Sequence, residues 1–502
     1  MSMPTAPLGV VGAGTMGAGI AQVAAVAGRR VLLADAVPGA AERAVGTIRD
    51  RVKAQVAKGR ISVDPEALAV TAVSVADLGE CDVVIEAIVE DLAVKKELFA
   101  ELEGIVAPGA ILASNTSSLS PTAIAAGLRH PERVVGLHFF NPVPAMKLVE
   151  VVSGLATAPV VAGAAADLAQ AWGKTVVRAA AAPGFIVNRI ARPYYAEAWR
   201  GYEAGAASPE VIDAVLTGAG GFRMGPFALM DLVGHDVNEA VTRTVWTAFG
   251  YDPRYTPSLA QRALVEGGRY GRKTGQGIYS HGEGAAAPSP APPAPAGTAP
   301  ASVTEHGTSP LRPLLTRAGV TVRTGDRDPA TGGLSAGLVE LPSGGFLAQC
   351  DGPAATSLAA ALDRPVIVVD RALDYETATA IAVAPSDGCP DAVLAEAARL
   401  LGAAGLEVHV IDDIPGLIVT RTVAMLVNSA VDALASGVAS AGDIDIAMRL
   451  GVNYPGGPLA WGREWGARDV LTILDSLENW HRDGHYRAAS RLRRAALSGR
   501  DL

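Results

Sequence analysis

The sequence predicts an α/β protein: a doubly wound parallel sheet, an all-helical domain after it, then a shortened copy of both. Three observations carry this. Residues 8–35 run strand, Gly-rich turn, helix, strand, the opening of an alternating α/β unit. After Pro183 the period changes, and amphipathic stretches such as FIVNRIARPYYAEAWRGYEAG and SPEVIDAVLTGAG read as helices. The phrase PGFIVNR, ending at Arg189, returns as PGLIVTR, ending at Arg421. A repeated phrase on this scale signals duplicated structure.

The first strand is LGVV; the Ala-rich helix GAGTMGAGIAQVAAVAG stops at Gly28; the second strand is RRVLLAD. CDVVIEA, GAILAS, RVVGLHF and LVEVV follow as compact runs rich in β-branched residues, each bounded by turn or helical segments. These place a sheet domain at 1–182 and a helical domain at 183–280. The stretch HGEGAAAPSPAPPAPAGTAPAS, residues 281–302, is too rich in Pro and Ala to build a core and reads as a semi-extended linker. A reduced sheet domain at 303–414 and a second helical domain at 415–502 complete the chain.

The repeat has one register, the 232 positions from Arg189 to Arg421. At that offset Gly184 meets Gly416, Asp213 meets Asp445, Gly225-Pro226 meets Gly457-Pro458, Gly173 meets Gly405, and the strand KTVV meets LEVH. The copied region runs from about residue 130 to 235. Upstream of residue 340 the copy fades: no Gly-x-Gly-x-x-Gly follows a strand, and too few residues remain for the first βαβ unit.

The totals narrow the function. A length of 502 residues suggests about three domains at roughly 150 residues each. A net charge of −9 argues against nucleic acid or an anionic membrane as the main partner. Cys81, Cys350 and Cys389 form no CxxC and no paired framework, as befits a reducing compartment. No apolar run reaches about 18 residues without charge, and MSMPTAP carries no secretion signal, so a cytoplasmic protein with no membrane span is expected. The eight His make no HxxH or HExxH set, so no metal site is expected.

Gly12-Ala13-Gly14-Thr15-Met16-Gly17 lies between the first strand and its helix. Gly12 permits the tight turn, Gly14 admits a pyrophosphate to the backbone, and Gly17 allows the helix to pack close. Thr15 and Met16 open the helix, whose N–H groups and positive dipole end favour phosphate. Asp35 ends the second strand, where a carboxylate accepts from a ribose 2′-hydroxyl and repels a 2′-phosphate. The module is therefore of Rossmann type and NAD is the expected cofactor. Arg29 and Arg30 precede that strand and weaken the exclusion of NADP only a little.

His138 closes the run RVVGLH, and Glu150 sits inside the apolar run KLVEVV. A His at a strand end is more often structural than catalytic, and a Glu there is commonly an edge charge. A carboxylate between Val149 and Val151 on a buried strand, however, needs a partner, and His138 is the nearest candidate. Such a carboxylate fixes the imidazole tautomer and leaves the second nitrogen as a base near neutral pH.

GAGTMGAGIAQVAA, EAIVED, SNTSSL, GLHFFNPVPAMKLVEV, PGFIVNR and GRKTGQGIY together resemble the L-3-hydroxyacyl-CoA dehydrogenases over residues 8 to 280. The resemblance implies NAD-dependent oxidation of an acyl-CoA 3-hydroxyl. It implies that His138 is the general base, Glu150 its orienting partner, Ser117 a donor near the substrate hydroxyl, and Asn188 a substrate contact. Glu90, Lys95 and Asn115 would lie on the cofactor side. The whole chain is similar to a longer subgroup that includes 3-hydroxyadipyl-CoA and 3-hydroxybutyryl-CoA dehydrogenases. In the basic run RDRVKAQVAKGR, residues 49–60, Lys53 is the candidate for the CoA phosphates; a solvated helix face is the competing reading. Arg223 and Arg243 would be partners for a terminal substrate carboxylate, or plain surface charges.

At the 232 offset His138 becomes Asp370, Glu150 becomes Ala382 and Asn188 becomes Thr420; with a three-residue slip Ser117 falls on Gly352. The second half is therefore expected to be non-catalytic. The resemblance implies that single-copy relatives pair two subunits through their helical domains; a homodimer is one expectation for this chain, and a second copy that satisfies the same apolar face within one chain is the other. Two other classes compete. A β-hydroxyacid dehydrogenase with a catalytic Lys lacks the HFFNP…LVEV pair, and a non-catalytic nucleotide-binding protein need not keep Ser117, His138, Glu150 and Asn188 together.

Overall fold

The computed structural model describes residues 6–290, 297–325 and 337–502, so the expected linker at 281–302 lies partly outside the described residues. Its described part holds no helix, and the strand that follows begins at Ser302. The chain divides into two compact units, Met1–Arg189 with Ala433–Val452, and Ile190–Asp432 with Asn453–Leu502. No helix among the described residues is long and apolar enough to cross a membrane.

The first unit is built on eight strands: β1 Leu8–Val11, β2 Val31–Ala34, β3 Val70–Val73, β4 Val83–Glu86, β5 Ile111–Ser114, β6 Val134–Phe139, β7 Leu148–Ser153 and β8 Thr175–Ala180. Their order is β3-β2-β1-β4-β5-β6-β7-β8. The strands leave β1 in both directions, so the β1/β4 border is the switch point at which such sheets bind ligands. All neighbours are parallel except β6 and β7, which run antiparallel. The expected all-parallel sheet is thus mixed. The connection from Phe139 to Leu148 is too short for the crossover that a parallel pair requires. One apolar layer packs helices Thr15–Val26, Ala40–Ala57 and Pro159–Ala171 on one face; a second gathers Phe99, Leu102 and Ile124 on the other.

The segment read as one long helix after Pro183 is two, Val187–Ile190 and Arg192–Glu203. Pro193 supplies no N–H and sits in the first turn of the second piece, where that loss costs least.

The second unit holds a seven-stranded sheet: β9 Ser302–His306, β10 Thr321–Gly325, β11 Leu338–Glu340, β12 Phe346–Gln349, β13 Val366–Val369, β14 Ala380–Pro385 and β15 Glu407–Val410, in the order β10-β9-β11-β12-β13-β14-β15. Contrary to expectation, a βαβ unit is present upstream of residue 340. β9 and β10 pair in parallel across the six-residue helix Arg312–Arg317, which is short enough to fit the space available.

The duplication is written in the backbone. Left-handed residues recur at the 232 offset: Gly173 and Gly405, Gly184 and Gly416, Phe185 and Leu417, Gly205 and Gly437, Gly221 and Asn453, Gly250 and Arg482. The register therefore runs beyond residue 235. Within the second unit, equivalent residues touch each other. The Phe222 and Tyr454 rings lie 5.0 Å apart, and His485 Nδ1 is 3.1 Å from the Pro253 carbonyl oxygen. Contacts also exchange: Arg200 reaches the Tyr486 hydroxyl at 3.2 Å, while Arg254 meets Asp432 at 3.0 Å, the same two positions with the copies swapped. That is the pattern of an isologous two-fold interface, formed inside one chain.

Glu197 lies at the centre of this packing. Its buried carboxylate meets His485 Nε2 at 2.6 Å, the Tyr486 hydroxyl at 2.9 Å and Arg421 at 3.6 Å. Burial pushes the carboxyl up, but His485, then Arg421 and Arg200, outweigh it and hold the group below the usual range. Glu197→Ala strands these partners, and a stability loss of about 3 kcal/mol is expected from urea unfolding at pH 7. Because the folded value is depressed, the wild-type advantage should be complete above about pH 4.3 and lost as pH falls through the folded value.

Candidate active site

The Gly-rich loop follows β1. A Cβ on Gly12, whose φ is +104°, would meet the Ala87 carbonyl oxygen at 2.4 Å, and one on Gly17 would lie 1.8 Å from the Gly12 oxygen. Gly14 faces open space, and the helix Thr15–Val26 begins without a side-chain cap and with no acid in its first turn. Uncovered N–H groups beside open room fit a dinucleotide pyrophosphate. Thr15 is exposed and Met16 half-buried. Asp35 directly follows β2 and braces the loop, accepting from Ala13 N at 2.6 Å and Val37 N at 2.8 Å. Arg29 pairs with Asp82 and Arg30 with Glu80, so both are engaged away from Asp35.

His138 and Glu150 are directly opposite in the antiparallel β6/β7 ladder, which brings their side chains to one face. His138 Nδ1 lies 2.6 Å from Glu150 Oε2. The other oxygen, Oε1, accepts from Ile186 N and Val187 N, each at 3.0 Å. Glu150 is wholly buried, and three partners compensate its desolvation. A carboxylate can only accept, so it fixes the proton on Nδ1 and leaves Nε2 with a free lone pair. Phe140 and Phe185 flank the imidazole at 4.4 and 5.8 Å.

The serine loop after β5 is held by Glu90. Its Oε1 accepts from Thr116 Oγ1 at 2.7 Å, Ser117 N at 2.9 Å, and Ser118 N and Oγ at 3.1 and 2.9 Å. Burial pushes the Glu90 carboxyl up, but the Thr116 bond, Lys95 and the loop N–H groups hold it below the usual range, so it stays ionised. Asn188 Nδ2 donates to the Ser117 carbonyl oxygen at 3.3 Å, and Asn115 Oδ1 accepts from Phe139 N at 2.9 Å. The structure thus gathers Ser117, Asn188, His138 and Glu150 through β5, β6, β7 and the start of the helix at Val187.

Lys95 is buried and bonds Glu86 at 2.5 Å and Glu90 at 3.2 Å. Glu86, at the end of β4, was missed. It accepts from Ile88 N at 2.7 Å and Ser114 Oγ at 2.7 Å as well as from Lys95, tying the EAIVED and SNTSS loops together. The signal was the one that marked Glu150, a carboxylate ending an apolar strand.

A cleft of about 580 Å³ in the first unit is lined by Thr15, Arg51, Gln55, Arg60, Asn141 and Pro142 among others. Lys53, the sequence's choice in this basic run, points to solvent and does not line it. Arg223 is exposed and Arg243 is engaged by Glu239, one turn away on its own helix, so both are surface charges.

In the second module the carboxylate has moved. Asp370, at the His138 position, accepts from Ile418 N at 2.9 Å and Val419 N at 2.7 Å, the equivalents of the two groups that Glu150 holds. Thr420 donates its hydroxyl to Asp370 at 2.7 Å, and burial pushes the Asp370 carboxyl up. Ala382 stands at the Glu150 position, so the paired His and Glu of the first module are not repeated there.

A Rossmann-type sheet with an open Gly-rich loop and an imidazole braced by a carboxylate defines a dinucleotide-dependent alcohol dehydrogenase. Comparison makes this specific. Residues 7–182 match the NAD binding domain of 3-hydroxyacyl-CoA dehydrogenase, 184–281 and 416–501 its C-terminal domain, and 347–415 the reduced Rossmann-fold domain of 3-hydroxybutyryl-CoA dehydrogenase. The chain is 44% identical to 3-hydroxyadipyl-CoA dehydrogenase of Escherichia coli (strain K12), over 97% of both chains. It is 41% identical to a probable 3-hydroxybutyryl-CoA dehydrogenase of Bacillus subtilis, over 55% of this chain and 96% of that one. A crystal structure of 3-hydroxybutyryl-CoA dehydrogenase from Escherichia coli K12 superposes with a TM-score of 0.88 and 42% identity, covering 99% of this chain and 100% of that one. The chain belongs to the 3-hydroxyacyl-CoA dehydrogenase family, NAD-dependent oxidoreductases of acyl-CoA substrates.

Gly17→Ala forces a methyl group into the Gly12 carbonyl. Its dissociation constant for NAD, measured by calorimetry, should rise at least about tenfold, a loss of about 1.4 kcal/mol.

Proposed function

We propose that the chain oxidises 3-hydroxyadipyl-CoA to the 3-oxoacyl-CoA, with His138 as general base. The observation that carries the chemistry is the 2.6 Å contact of His138 Nδ1 with buried Glu150. With Nδ1 held as donor, Nε2 takes the proton of the 3-hydroxyl, and the Glu150 carboxylate stabilises the imidazolium formed. NAD, when bound, supplies the hydride acceptor. Gly12, Gly14, Gly17 and the first turn at Thr15 and Met16 hold its phosphates, and Asp35 meets the ribose. Glu90 and Lys95 set the serine loop on the cofactor side, beside Asn115. Ser117 and Asn188 position the substrate oxygen.

The cleft with Arg51, Gln55 and Arg60 receives part of the CoA; the two guanidiniums suit its phosphates. The second helical copy takes the place that a partner subunit's helical domain would fill, a reading supported by the exchanged contacts around Phe222 and Tyr454. The second α/β module is non-catalytic, because Asp370 spends its carboxylate on the backbone and on Thr420.

The adipyl substrate rests on the full-length similarity to the Escherichia coli 3-hydroxyadipyl-CoA dehydrogenase. A 3-hydroxybutyryl substrate is the second reading, supported by the equally full-length fit to the crystal structure of that enzyme.

His138→Gln should lower kcat by about 10²- to 10⁴-fold in an NADH absorbance assay while NAD affinity holds. Unimpaired turnover would return the β-hydroxyacid dehydrogenase mechanism to consideration. Across a panel of 3-hydroxyacyl-CoAs with and without a terminal acid, kcat/KM should be highest for the six-carbon diacid. A preference for the four-carbon acid would select the butyryl reading.

A further inference from the structure

The second copy does more than fill space. The segment Ala433–Val452 belongs to the first compact unit, with the sheet that carries His138 and Glu150. Its helix Ala441–Gly451 packs on β7 and β8. Val438 accepts from Ala180 N at 2.8 Å, at the end of edge strand β8. The reciprocal bond in the second unit, Asp412 N to the Ala206 carbonyl at 2.9 Å, falls at the same two positions with the copies exchanged. Each α/β module is thus closed by a segment of the other module's helical copy.

The closest approach lies behind the catalytic pair. A Cβ on Gly451 would come within 2.8 Å of Leu148 Cδ2 and 2.9 Å of Val187 Cγ2. Leu148 stands two residues before Glu150 on β7, hence on the same face of the strand. Val187 supplies one of the two N–H groups that hold Glu150 Oε1. Leu148 and Val187 are both buried at 2% exposure or less, so neither side chain has room to yield outward.

We infer that Gly451, from the copy that lost the reactive side chains, is a positioning residue for the His138–Glu150 pair. Its missing side chain lets β7 and the helix start at Val187 come together on one carboxylate. Sub-ångström displacement of a general base and its partner is felt chiefly in kcat. This inference rests on the catalytic reading given above.

The test uses the full chain. Gly451→Val should lower kcat about tenfold or more and Gly451→Ala roughly threefold, with KM for NAD and acyl-CoA within about twofold of wild type. Adding Leu148→Ala to Gly451→Ala should recover at least half of the lost kcat, because the clash is relieved from the other side. A purely structural role would lower the melting temperature without this split between kcat and KM, and without rescue. Should Gly451→Val fail to fold, the Ala variant and its pairing with Leu148→Ala decide the matter. Folded variants with kcat within twofold of wild type would overturn the inference. His138→Gln, run alongside, separates the two levels: its full activity would sink the catalytic reading, whereas its inactivity beside an unaffected Gly451→Val would sink this inference alone.

Discussion

The molecule turns on one buried carboxylate. Glu150 is wholly inside the first unit, an expensive place for a charge unless every lone pair is used. One oxygen holds His138; the other holds the backbone at Ile186 and Val187, where the sheet gives way to the first helical turn. The interaction that fixes the His138 tautomer is therefore also the joint where the sheet meets the first helical turn. A group with both duties cannot drift without cost to fold and chemistry alike.

The second copy separates the two duties. There the imidazole and its partner strand acid are gone, yet a carboxylate still meets the N–H groups of residues 418 and 419. It comes from Asp370, one strand over, and a shorter side chain reaches because it lies next to the helix start. The orphan donors of a helix N-terminus must be satisfied whether or not chemistry is done there. Thr420 there gives Asp370 a further donor through its hydroxyl.

Duplication also changed what the chain can bury. The contacts around Phe222 with Tyr454 and Pro253 with His485 join equivalent positions, as an isologous dimer interface does, but without the translational entropy of bringing two chains together. The second copy keeps the left-handed glycines at the shared register, while the positions of His138, Glu150 and Asn188 have changed.

The sequence by itself determined the Gly-rich loop, the sheet that follows it, the helical domain and the repeat register, because these rest on local periodicity and on residues with one backbone use. It also pointed to Glu150, since a charge in an apolar run demands a partner wherever the chain goes. Glu86 bears the same signature, and helix facing, which the sequence does not fix, puts Arg51 and Arg60 but not Lys53 on the cleft. Only the tertiary structure decided that β7 and β8 run against the rest of the sheet, that residues 302–325 close a βαβ unit, and that Val438 and Gly451 reach back to the catalytic sheet. The first two outcomes depend on which strands pair, and the last on contacts between residues hundreds of positions apart; no local propensity encodes either.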